Sequence, residues 1–192
     1  MTLKTVFVVA SVAIAVSVPG RMHAGDDPLD SLNRAIQERF AGIDKFFGLR
    51  RIVVIGDTPH QFKPEKLSEE SAVQDLRDAN LTVALYMAGR RVLDREPNLS
   101  SDEPLEIDRR VIFGPIAVTA AAQLRELPHS VDLIDEARIA FQELQRRDRH
   151  DFRMQNWTFS ARAVRVTSNE CTRCHAGRKI GEPLGVVIYA YR

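Results

Sequence analysis

The chain has 192 residues, with 27 Lys and Arg against 26 Asp and Glu, a formal net charge of +1. This even balance gives no electrostatic reason to expect nucleic acid as a partner, and the length suits one domain with its own core better than several. The one Arg-rich stretch, Gln145 to His150, reads as the solvated end of a helix.

The chain opens with Lys4 and an uncharged apolar run from Val6 to Val18, broken by Pro19-Gly20 and followed by Met22-His23-Ala24. That is the pattern of a secretory signal peptide, cut after Ala24. The run falls short of the ~20 apolar residues of a membrane span, so no stable membrane insertion is expected after cleavage, with an uncleaved anchor as the alternative. The expected organisation is a signal peptide over residues 1–24 and a single domain over 25–192, placed in the periplasm or secreted by a bacterium. Cleavage removes Lys4 and Arg21 but no acid, leaving the mature chain close to neutral.

Asp27 before Pro28 predicts a helix start, and Leu29, Leu32, Ile36, Phe40, Ile43 and Phe47 recur at helical spacing until Gly48. Arg51 to Ile55 reads as a short strand, and 57–67, with two prolines, as a loop. Ser68 is the expected cap of a second helix to Ala79, with Glu69 and Glu70 in its first turn. From Leu81 the period drops to two, predicting a strand to Ala88, and Gly89 starts a possible hairpin into Arg91 to Leu93. After a polar loop over 94–104, Val111 to Thr119 is a strand that Gly114-Pro115 must bend or confine to an edge. Ser130 is expected to cap a third helix through Ile134, Ala137, Phe141 and Leu144. Trp157, Phe159, Ala161 and Ala163 alternate as in a strand, with a phase slip at Val164 and Val166 that implies a bulge or a turn between two strands. Leu184 to Tyr191 is the last strand. The predicted fold is α+β, an antiparallel sheet of about five strands with helices packed against it.

The only two cysteines stand in Cys171-Thr172-Arg173-Cys174-His175. Two thiols across a short turn can add to the two vinyl groups of one porphyrin, and the histidine that follows can ligate the iron, so this spacing points to one covalent haem c with His175 as proximal ligand. With 5 histidines among 192 residues, a histidine directly after such a pair is an uncommon coincidence. Export agrees, because c-type haem is attached after translocation. The alternative is a metal-free disulfide or dithiol protein using Cys171 and Cys174. Zinc would need two further ligands, and no second Cys or His pair stands at ligand spacing.

For the sixth iron position the candidates are His60 and Met87, with His129, His150 and Met154 behind them, or water, or nothing. Trp157, Phe159, Val164, Val166 and Leu184 to Ile188 are candidate walls for the porphyrin, with ordinary core as the competing role. Arg162, Arg165, Arg178 and Lys179 are candidate partners for its propionates, with solvated surface as the competing role.

Asn156-Trp157, Ala161-Arg162-Ala163-Val164-Arg165, the cysteine motif and Gly181-Glu182-Pro183-Leu184-Gly185-Val186 together resemble bacterial periplasmic c-type haem domains of the PAS-like class, over about residues 130–192. The resemblance implies a PAS-like sheet with the haem-binding loop before its last strand, Cys171 and Cys174 as thioether sites and His175 as proximal ligand. One relative in that class uses an extra cysteine as distal ligand, and this chain has no third cysteine. The implied work is one-electron transfer to a redox partner protein, or redox or gas sensing through a small diatomic ligand. A haem enzyme is the weaker expectation, since no distal acid–base constellation is visible.

Overall fold

The computed structural model describes residues 27–41, 61–89, 93, 112–119 and 126–192, without the side chains of Phe113, Arg173 and Cys174. The expected signal peptide, the strand at 51–55, the hairpin partner at 91–93 but for Leu93, and the loop at 94–104 lie outside these residues. Helix α1 (Pro28–Ala41) begins as its sequence predicts, with the N–H of Leu29 donating to the Asp27 carboxylate at 3.0 Å. It is followed by α2 (Leu67–Asp78), β1 (Val83–Gly89), β2 (Ile112–Ala117), a 3-10 turn at Ser130–Leu133 and α3 (Ile134–Glu143). The chain closes with β3 (His150–Met154), β4 (Trp157–Arg165), the short helix α4 (Asn169–Cys174) and β5 (Pro183–Tyr191).

The five strands form one open antiparallel sheet in the order β2-β1-β5-β4-β3. The expected α+β class is what the chain adopts. Both faces of the sheet are covered. On one, Tyr86, Phe159, Ala161 and Ile188 pack with Leu133 of the 3-10 turn, Ala137 and Phe141 of α3, and Leu144 just past its end. On the other, Leu85, Met87, Val187 and Tyr189 pack with Leu32 and Ile36 of α1 and Val73 and Leu76 of α2. Double burial explains why the central strands carry apolar side chains at nearly every position.

It also resolves the apparent slip in β4. Ala163 faces α3 and Val164 faces α1, so one strand serves two cores, and the register shift falls at its end, between Val164 and Arg165. Pro115 sits in the edge strand β2, where a missing donor is tolerated.

Two local expectations are corrected. Ser68 does not cap α2, whose flanking residue is Lys66; instead the carboxylate of Glu69 reaches back to accept the N–H of Glu65 at 2.7 Å. Ser130 does not cap α3 either. Asp132 accepts the N–H of His129 at 3.1 Å, and the Ser130 hydroxyl donates to the Gly114 carbonyl at 3.3 Å. The Arg-rich stretch, exposed over 145–149 as the solvated end of a helix should be, gives way at His150 to a strand: β3 starts there and pairs with β4 across a two-residue turn at Gln155-Asn156, with Gln155 at φ 54°.

Glu69 stands in the first turn of α2, as expected, but does not face solvent. It is fully buried and paired with Arg39, whose Nε donates to it at 2.6 Å while its other arm also donates to the Lys63 carbonyl at 3.0 Å. Burial pushes the Glu69 carboxyl up, but the hydrogen bonds and charge of Arg39 and the Glu65 N–H outweigh it and hold the carboxyl below its ordinary range.

Candidate functional site

The cysteine motif lies in the connection between β4 and β5. The neck of this connection is closed by backbone bonds, Val166 N–H to the Glu182 carbonyl at 2.9 Å and Gly181 N–H to the Val166 carbonyl at 2.8 Å. Arg165 braces it. Its guanidinium donates to the carbonyls of Gly181 at 2.9 Å, Leu144 at 2.8 Å and Arg147 at 3.0 Å, tying the neck to the chain leaving α3. Arg165 therefore spends both terminal nitrogens on main chain, with the Asp148 carboxylate 3.6 Å from one of them, a role the sequence reading did not foresee.

Within the connection, α4 carries Cys171 and Cys174 three residues apart on one short helix, and His175 follows, exposed, as the residue that caps its C-terminus. The N–H of His175 donates to the Cys171 carbonyl at 3.0 Å. Gly177 takes φ 77°, which turns the chain back where a side chain would be strained. As the glycine and proline after the motif imply, the helix stays short.

Cys171 is a half-buried free thiol. Ser168 flanks α4 at the N-cap and Cys171 is its third residue, so the sulfur occupies the place that a Glu or Gln takes in a capping box. Its Sγ lies 3.7 Å from the Ser168 hydroxyl and 3.8 Å from that of Thr167. Burial raises the thiol, but the backbone N–H groups of Thr167 and Ser168 and the two hydroxyls favour the thiolate more, bringing it from 9.0 down to about 7. The signal for this arrangement was the Ser-x-x-Cys spacing, legible in the sequence but hidden by the more conspicuous cysteine pair.

The other candidates are scattered. His60 lies outside the described residues. Met87 is wholly buried among the side chains beneath α1 and α2, opposite Val187 in the sheet. His129 is exposed beside the 3-10 turn, while His150 and Met154 are half-buried at the two ends of β3. Trp157 and Phe159 belong to the core against α3, with the indole N–H donating to the Glu126 carbonyl at 3.1 Å. Val164 lies in the opposite core and Val166 is buried. The competing role of ordinary core is the one these residues occupy.

Of the four candidate propionate partners, Arg162 is buried beneath the start of α1, donating to Asp30 at 3.0 Å. Arg165 is the brace, Arg178 stands 3.9 Å from Glu182, and Lys179 is exposed. The described donors fit a covalent haem in one respect that matters: Cys171 lies half-buried outside both cores and the His175 side chain is exposed. Ile180, in the same connection, is 62% exposed and offers apolar surface there.

Among the described residues no helix is long and apolar enough to cross a membrane. No protein-family model, curated protein or solved structure matches the chain.

Proposed function

We propose that this protein binds one haem c covalently through Cys171 and Cys174, with His175 as proximal ligand, and acts outside the bacterial cytoplasm in one-electron transfer or haem-based redox or gas sensing. The observation that carries this reading is the motif Cys171-x-x-Cys174-His175 standing in a braced, solvent-facing connection between two strands. Bound haem supplies a one-electron couple and an iron position for a small diatomic ligand. The chain's own part is to carry both cysteines on one short helix, keep the Cys171 sulfur in a donor-lined place, and hold the backbone of His175 against α4. The five-stranded antiparallel sheet whose last strand is entered from the motif is in keeping with a PAS-like domain. The partners under this reading are a redox protein or a diatomic gas.

A second reading has its own support. The half-buried, stabilised Cys171 sulfur also suits a metal-free dithiol or disulfide protein. One measurement separates the two. Protein made in cells that mature cytochromes c should keep its haem through denaturing electrophoresis and show the added mass of the porphyrin; colourless protein with bare or mutually bonded thiols refutes the haem reading. Carbon monoxide added to the reduced protein then distinguishes an open sixth position, which binds it promptly, from two protein ligands, which do not.

A further inference from the structure

The strand β3 ends the sheet, and among the described residues no strand pairs with its outer edge. Natural edges of this kind are protected by shortness, by charges, by proline or by bulges. β3 is short and charged, but its two exposed charges are of opposite sign and it has neither proline nor bulge, so a partner of matching charge pattern is not repelled. Its sequence is His150-Asp151-Phe152-Arg153-Met154, with Asp151 and Arg153 exposed on one face and His150, Phe152 and Met154 half-buried on the other.

Which backbone groups point outward follows from the hairpin. Met154 and Trp157 close a two-residue turn, and such a closing pair exchanges both of its hydrogen bonds. Met154, Phe152 and His150 thus spend their N–H and C=O groups on β4, and those of Asp151 and Arg153 face away from the sheet. A second antiparallel strand must bond to these two residues.

From these constraints we infer that β3 is a self-pairing edge, joining β3 of a second copy of this chain in antiparallel register about Phe152. Three symmetric registers would align outward-facing groups within the strand. Centring on Asp151 sets two carboxylates face to face, and centring on Arg153 sets two guanidinium groups face to face. Centring on Phe152 places Asp151 of each copy against Arg153 of the other, twice, as backbone-bonded pairs. It also brings the two Phe152 rings together on the opposite face, beside the Phe159 rings on which they already stack at 4.8 Å. The charges that would repel other copies in other registers select this one. Each Arg149 already holds its own Asp151 at 2.5 Å, which leaves the second carboxylate oxygen for the partner. The sheet would become continuous across both copies, independently of what the cysteine motif carries.

Sedimentation velocity on the purified full chain tests this. The wild type should form a dimer that dissociates on dilution, and Asp151→Arg or Arg153→Asp should each weaken it by roughly tenfold or more, since each sets like charges opposed at both pairs. Mixing the two variants should restore a heterodimer, because every opposed pair is then of opposite sign, and the double reversal should dimerise by itself. Circular dichroism checks that each variant folds. A wild type that stays monomeric at every concentration, or single reversals that dimerise as it does, would overturn the assignment, as would a mixture no tighter than its components.

Discussion

Glu69 and Cys171 are both held in their ionised direction by neighbouring donors, yet they serve opposite ends. Glu69 sits sealed between α1 and α2 with a fixed cation against it. Cys171 sits in a connection outside both cores, where among the described residues hydroxyls and N–H groups, not a fixed charge, stabilise its sulfur. A buried carboxylate tied to an arginine cannot react without breaking the fold locally, whereas a sulfur stabilised by weak neutral donors stays available. The body of the molecule should therefore answer to mutation in stability, and the connection in chemistry.

The sharpest way to break that division is Glu69→Ala. It strands the Arg39 guanidinium in the core and should cost about 3–5 kcal/mol, read from denaturant unfolding. Replacing the pair together by Met at 39 and Leu at 69 should cost far less. Because the folded chain holds the Glu69 proton more weakly than the unfolded one, the stability it contributes is fully present above about pH 4.5 and is lost as pH falls below that value. The double variant should lack this acid-dependent part.

Next in size is Gly185→Ala, at the point where β5 leaves the connection. An added Cβ would stand 2.5 Å from the Ala88 carbonyl, so two backbones must separate, at about 1–3 kcal/mol in thermal unfolding. Arg165→Met should cost about 1–2 kcal/mol and act locally. Amide exchange at Val166 and Gly181 should speed up while Leu85 and Val187 remain protected, since only the neck is loosened. If exchange rises throughout the sheet, the connection is part of the body and the division fails.

How much of this was legible beforehand follows the range of the interactions. β1, β4 and β5 announce themselves because strand period is a property of neighbouring residues, and the Cys-x-x-Cys-His motif is local too. β3 was missed because its two half-buried apolar residues alternate with charges over only five positions, directly after an Arg-rich helix end. The pairing of Arg39 with Glu69 joins residues 30 apart, and the reach of Arg165 to Leu144 joins residues 21 apart. A first-turn glutamate and a surface arginine look alike in sequence whether they face water or a partner, and only the packing of α1 on α2, or of α3 beside β4, decides.

Changing both cysteines to serine should leave thermal stability within about 0.5 kcal/mol, as for a site outside the cores, while abolishing covalent haem in matured protein, read by mass. The smallest effect is also the most direct probe of the sulfur itself. In a Cys174→Ser background free of haem, the alkylation rate of Cys171 by iodoacetamide should rise with pH through a midpoint near 7, because the thiolate is the reacting form. Ser168→Ala removes one hydroxyl while keeping the backbone N–H, so its midpoint should move upward by a fraction of a unit without change in the unfolding curve. A midpoint that stays at the ordinary thiol value in the parent would mean that the donors around Sγ do not hold it in solution, and the contrast with Glu69 would then rest on burial alone.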